Sequence, residues 1–223
     1  MKGIISVDVE DWFHILDVPS TPAQDRWGAL PSRVESNFFR LLELFDEVGV
    51  KSTCFFLGYI AERFPHLVRE AVRRGHEVAS HGYSHQLVYE QTELEFREDI
   101  RRAKRLLEDI GGQPVRGYRS PGFSATDRTP WFFEQIVEAG YTYDSSVFPS
   151  ARSHGGMEGA CFAPHVMRVA TGRLIELPIT VTKVLRRPLC FFGGGYLRLY
   201  PYRLIRRMAR SVLSPDYSPV SGA

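Results

Sequence analysis

Short apolar runs alternate with helix-periodic segments along the whole chain. That order restricts it to parallel strands joined by crossover helices. Strands are expected at Gly3–Val9, Ser52–Leu57, His76–Ser80, Val115–Arg119, Tyr141–Asp144 and Leu174–Thr182. Between them, Phe38, Leu41, Leu42, Phe45 and Val48 recur at helical spacing, and Gly49 stops that helix. A second helical pattern runs from Ile60 to Arg74, with Pro65 predicting a break inside it. Thr92 and Glu95 make a capping box that opens a helix to about Ile110, closed by Gly111-Gly112. Thr129 and Pro130 signal a helix through Ala139, and a last one starts near Pro201.

An open doubly wound sheet and a barrel both satisfy this alternation. Asp8, Glu10, His81, Arg119 and Asp144 each fall at or just beyond the C-terminal end of an expected strand, four strands in all. Five polar residues on four strand ends point to one rim around one cavity, which favours an α/β barrel. At 223 residues the chain has room for one domain, expected over residues 1–213, with 214–223 as a disordered tail. A net charge of +2 gives no reason to invoke nucleic acid. Cys54, Cys161 and Cys190 are far apart and odd in number, so a disulfide framework or zinc ribbon is not expected. No apolar run is long enough for a transmembrane segment or a signal peptide, and a cytoplasmic protein is expected.

Two motifs carry the chemistry. The first strand ends Asp8-Val9-Glu10-Asp11-Trp12-Phe13-His14, three carboxylates among apolar groups that repel one another unless a cation offsets them. The third ends Ser80-His81-Gly82-Tyr83-Ser84-His85. Two histidines four apart on a helical turn would point the same way and reach one divalent ion, with a neighbouring carboxylate as third ligand. Taken alone, the histidine pair is a weak signal, because such pairs arise by chance. Arg119, followed by Ser120-Pro121-Gly122-Phe123, can hold a carboxylate ionised. Asp144 either orients Arg119 or caps its own loop. Trp12, Tyr83, Pro121 and Phe123 supply surfaces near the strand ends on which a sugar could pack.

Together these residues resemble the NodB-type polysaccharide deacetylases, carbohydrate esterase family four, and in particular the subgroup found beside exopolysaccharide and exosortase genes in bacteria. The family's Thr-Phe-Asp-Asp-Gly motif is matched by Ser6-Val7-Asp8-Val9-Glu10-Asp11, its His-Ser/Thr-x-x-His motif by His81 to His85, and its Arg-x-Pro motif by Arg119-Ser120-Pro121. The resemblance implies a distorted (β/α) barrel and a metal-dependent hydrolase that removes N-acetyl groups from an N-acetylated oligo- or polysaccharide. It implies a divalent ion, zinc first and cobalt second, held by His81, His85 and either Glu10 or Asp11. Asp8 would be the catalytic base, with Arg119 and Asp144 supporting it. Strand alternation favours Glu10 as the acidic ligand, whereas a bulge at Val9 would favour Asp11.

The family's late Leu-x-His or His-Pro motif has no counterpart, since no histidine follows His165. A barrel lacking its last strand is therefore expected, in which Leu204, Ile205 and Met208 have little to pack against and turnover is impaired. His154 and His165 are candidate substitute acids. A catalytically silent carbohydrate-binding module is the alternative reading.

Overall fold

The computed structural model describes residues 3–16, 18, 20–150, 155–184 and 187–213. The expected tail at 214–223 and His154 lie outside these residues.

The most apolar strand sets the centre. Thr53-Cys54-Phe55-Phe56, strand β2 (Thr53–Phe56), is buried at every position, as a strand covered on both faces must be. It pairs in parallel with β1 (Ser6–Val9) on one side and β3 (Glu77–Ser80) on the other. The sheet continues through β4 (Gly117–Tyr118) and β5 (Tyr143–Asp144), both parallel, to the hairpin of β6 (His165–Val169) and β7 (Gly172–Glu176). β7 pairs in parallel with β5, so the order is β1-β2-β3-β4-β5-β7-β6. Among the described residues β1 and β6 end the order. The expected α/β architecture with a parallel sheet is present.

Helices α1 (Val34–Glu47), α2 (Gly58–Arg63), α3 (Pro65–Arg73), α4 (Glu93–Gly111) and α5 (Phe132–Glu138) supply the crossovers. Each inserts one apolar stripe into a common core: Val34, Phe38 and Leu42 from α1; Leu67, Val68 and Ala71 from α3; Phe96, Ile100 and Leu107 from α4. Burying each of the larger side chains contributes roughly 1.5–3 kcal/mol. Pro65 divides α2 from α3, with Phe64 at φ −130°, ψ 62° between them. Thr92 and Glu95 form the expected capping box of α4, and Gly112 ends it in the left-handed region at φ 66°.

Three expectations are corrected. The helix read from Thr129 begins at Phe132, because Thr129 instead closes a turn on the Thr126 carbonyl. The strand read over Leu174–Thr182 divides into β7 and β8 (Val181–Val184), since Pro178 has no N–H to donate. β8 pairs antiparallel with β9 (Arg187–Cys190) as a separate two-stranded ribbon. Finally, Ile205 and Met208, on α7 (Tyr202–Leu213), are 5% exposed and pack on Phe191 just past β9, whereas Leu204 is 42% exposed. The ribbon gives the last helix a surface that the sequence did not reveal. The short α6 (Gly194–Leu199) lies between them.

Candidate metal and catalytic centre

Asp8 lies within β1 and Asp144 closes β5, while Glu10, His81 and Arg119 immediately follow β1, β3 and β4. The C-terminal edge of the sheet thus gathers all five residues. Glu10, His81 and His85 each offer one ligand atom, and these atoms lie within 4.8 Å of one another. Glu10 Oε2 is 2.7 Å from His85 Nε2. His81 Nδ1 donates to the Arg119 carbonyl at 2.8 Å, which leaves Nε2 with its lone pair free toward the cluster. Two imidazoles and a carboxylate are a donor set suited to a zinc-like divalent ion. The residues present fit such an ion.

Asp11 is placed elsewhere. Its side chain caps the 3₁₀ turn Trp12–His14 and accepts from Ser32 Oγ and the Arg33 N–H. With both oxygens engaged, it serves to fix the chain between β1 and α1. Glu10 is the acid that stands beside the histidines.

The two histidines do not sit on a helical turn, as their spacing suggested. Residues 81–87 form an irregular loop, with Gly82 at φ 71° and His85 itself in the left-handed region at φ 56°. A non-glycine residue held there is uncommon and costs energy that the surroundings must supply. Asp99 of α4 supplies much of the restraint: its carboxylate accepts from the Tyr83 N–H at 2.7 Å, the Ser84 N–H at 2.9 Å and the Ser84 hydroxyl. A Cβ at Gly82 would lie 2.9 Å from Asp99 Oδ2, so the close approach requires glycine. Gly58 and Tyr59 donate to the Gly82 and Tyr83 carbonyls and tie the loop to α2. Sequence inspection did not single out Asp99, because Arg101 and Arg102 follow it closely on the helix and make it read as one acid of an ordinary charged face.

Arg119, buried, donates to Asp8 Oδ1 at 2.8 Å, to Ser6 Oγ at 2.9 Å and to Ser145 through both its hydroxyl and carbonyl. Its guanidinium lies 4.1 Å from the Phe55 ring centroid. Burial alone would raise the pKa of Asp8, but the charge of Arg119, aided by the nearby imidazoles and the Arg119 hydrogen bond, brings it below the ordinary value. Asp8 is therefore a carboxylate at neutral pH.

Asp144 does not contact Arg119 by hydrogen bond; it accepts from the Ser146 N–H and hydroxyl and so shapes the loop that presents Ser145. Beside it stands Glu176, also fully buried, which sequence reading missed. His14 was missed as well. Its Nδ1 accepts from the Asp11 N–H, so its proton lies on Nε2, and its ring centroid is 5.5 Å from that of His85. Burial first, then the neighbouring His85 and His81, bring its pKa down to about 3. It is a neutral ring packed against His85.

The aromatic candidates separate. Trp12 is 49% exposed on the rim, its indole N–H tied to the Pro31 carbonyl. Tyr83 donates to Glu62, and Arg102 covers its ring at 3.4 Å. Pro121 is buried, and Phe123, at φ 53°, packs against Phe148. His165 Nδ1 faces the Ala163 carbonyl on the β6 edge.

The sheet and its helices share the fold of crystallised proteins described as polysaccharide deacetylases. A putative polysaccharide deacetylase from Mycobacterium smegmatis matches 86% of this chain and 64% of its own, at 28% identity and a TM-score of 0.59. The chain belongs to the polysaccharide deacetylase family, which it matches over residues 27–143; residues 145–221 match a domain of unknown function, DUF3473. The first acids therefore precede the matched span. A peptidoglycan deacetylase from Helicobacter pylori is 31% identical over 108 residues, 48% of this chain and 36% of the relative. A peptidoglycan-N-acetylglucosamine deacetylase from Bacillus cereus is 31% identical over 97 residues, 43% and 35% respectively. The chain thus spans about a third of the length of these relatives. Among the described residues no helix is long and apolar enough to cross a membrane.

Proposed function

We propose that this chain removes N-acetyl groups from amino-sugar residues of a bacterial exopolysaccharide, using a divalent metal such as zinc. The observation that carries the reading is the joint approach of Glu10, His81 and His85 next to the Asp8–Arg119 pair. Glu10, His81 and His85 would hold the ion, which when bound would supply Lewis acidity and activate water near neutral pH. Asp8, kept ionised by Arg119, takes the proton of the water that attacks the acetamide carbonyl. Once protonated, Asp8 hands that proton to the departing amine, so that water and the amide become acetate and a free amino sugar. Asp99 holds the histidine loop, and Ser145 and Ser6 aim Arg119. Three free cysteines suit a reducing, cytoplasmic setting.

The test is a pair of measurements on the purified chain: metal bound per chain, and acetate released from N-acetylglucosamine oligomers with added zinc or cobalt. Stoichiometric metal with acetate release supports the deacetylase. Metal and sugar binding without acetate supports the silent module, and absence of metal binding removes both the site and the mechanism.

A further inference from the structure

Beside the proposed reaction centre lies a cavity of about 330 Å³ whose lining includes Asp8 and Glu10 as well as Arg33 and Arg198. It falls at the small end of the ~300–1,000 Å³ typical of ligand sites, suited to one sugar residue with its substituents. Trp12 and Asn37 also line it. Trp12 offers a half-exposed ring whose N–H is already committed to Pro31.

The carboxylates in the wall are engaged. Asp8 is paired with Arg119, Glu10 with His85, and Asp11 with Ser32 and the Arg33 N–H. Among the described residues, neither the Arg33 nor the Arg198 guanidinium is paired with a carboxylate. Two arginines that line one small cavity and carry no carboxylate partner can receive an anion there, and their planar forks suit a carboxylate. Arg198 also belongs to a stretch of unusual sign. Residues 177–213 contain one Lys and seven Arg with no Asp or Glu, against 20 basic and 26 acidic residues in the rest of the chain. Such an asymmetry raises the local concentration of anionic ligands around the segment that carries Arg198.

We infer that Arg33 and Arg198 form a subsite for an acidic sugar residue adjoining the N-acetylated one, so that the substrate is an anionic rather than a neutral glycan. The inference rests on the deacetylase reading for the reaction, but not for the binding. Arg198 comes from α6, within the part of the chain matching DUF3473, and Arg33 from the start of α1. The second matched region would thereby contribute directly to substrate choice.

The experiment uses the full chain loaded with zinc. Acetate release is compared on a neutral N-acetylglucosamine tetramer, a hyaluronan tetrasaccharide bearing uronate carboxylates, and a glycan fragment in which N-acetylglucosamine alternates with N-acetylmuramic acid and its lactyl carboxylate. One acidic arm should exceed the neutral tetramer in kcat/KM by about tenfold, mainly through KM, with the gain shrinking at high salt. In R33Q and R198Q that preference should collapse. Calorimetric titration with the same three oligosaccharides gives a readout independent of turnover. Equal binding of acidic and neutral oligomers, or a preference unchanged in both variants, overturns the inference. Charge-selective binding that both variants lose, without acetate from any substrate, would sustain the subsite and reject the deacetylase reading.

Discussion

Asp144 and Glu176 occupy partner positions across the β5–β7 pairing, each with no solvent exposure. Asp144 receives two bonds from Ser146, whereas among the described residues Glu176 receives the Val147 N–H at 3.1 Å on Oε1 and its buried Oε2 meets no donor. Burial first, and then the charge of Asp144, raise the pKa of Glu176 far above the carboxylate range. Two buried carboxyls side by side share a proton rather than both ionise. Glu176 holds it at neutral pH and offers Asp144 the missing hydrogen.

The consequence for stability has a definite sign. The unfolded chain releases the Glu176 proton above its ordinary pKa of 4.5, while the native chain retains it. Native stability is thus favoured below that pH and declines as pH rises, by up to ~1.4 kcal/mol per unit for this one proton. In Glu176→Gln the amide N–H replaces the acid O–H and does not titrate. Urea unfolding at several values between pH 5 and 9 should show the variant gaining on the wild type as pH rises. A difference that does not change with pH would refute the protonated state.

Arg119 holds Asp8 ionised against the effect of burial. Arg119→Ala should therefore raise the pKa of Asp8 and move the acidic limb of the kcat/KM profile to higher pH. Activity at neutral pH should fall by about 10²–10⁴-fold, the range expected when a general base is disabled. Arg119→Lys should recover part of the pH shift but little of the rate, because one ammonium cannot also reach Ser6 and Ser145. An unmoved acidic limb in the Ala variant would mean that Asp8 is not the titrating base.

The sheet and its rim were legible because they are written locally. Apolar strand runs, the Thr92–Glu95 box and the stops at Gly49 and Gly112 each act within a few residues. Asp8, Glu10, His81 and Arg119 were legible because a parallel sheet puts consecutive strand ends on one edge. What remained hidden depends on distant partners. Asp99 reaches the histidine loop from α4, Glu176 acquires its meaning only opposite Asp144, and Asp11 is removed from the cluster by Ser32 and Arg33. The β8–β9 ribbon was missed because Pro178 and Pro188 sit within an apolar stretch that reads as one interrupted strand.

Asp99 gives a test of how the histidine loop is held. Its carboxylate satisfies two backbone N–H groups and a hydroxyl of residues 83–84, lying between the two histidines in sequence. Without it, His85 has less to keep it in the left-handed region. Asp99→Ala should weaken zinc affinity by about 10–100-fold, the usual effect of removing an outer support from a metal site. Competition with a chromogenic chelator measures this without requiring turnover. Asp99→Asn retains an acceptor for one of the N–H groups and should fall in between. Wild-type affinity in both variants would show that the loop holds its own shape.

Gly117 tests the packing beneath the rim. A Cβ at this position would collide with Cζ of Tyr143 on the neighbouring strand, too near for any adjustment of a few tenths of an ångström. Tyr143 is not free to swing away, because its hydroxyl donates to Glu77 at 2.9 Å across the same sheet. Gly117→Ala should therefore destabilise the protein by about 1–3 kcal/mol, the usual cost of overpacking. Adding Tyr143→Leu removes the obstructing ring, so the alanine should cost much less in that background than in the wild type. A double-mutant cycle by urea unfolding measures the coupling. Additive effects would show that β4 and β5 accommodate the methyl by shifting apart, and the displacement would then extend to Arg119 and Asp144 at the strand ends.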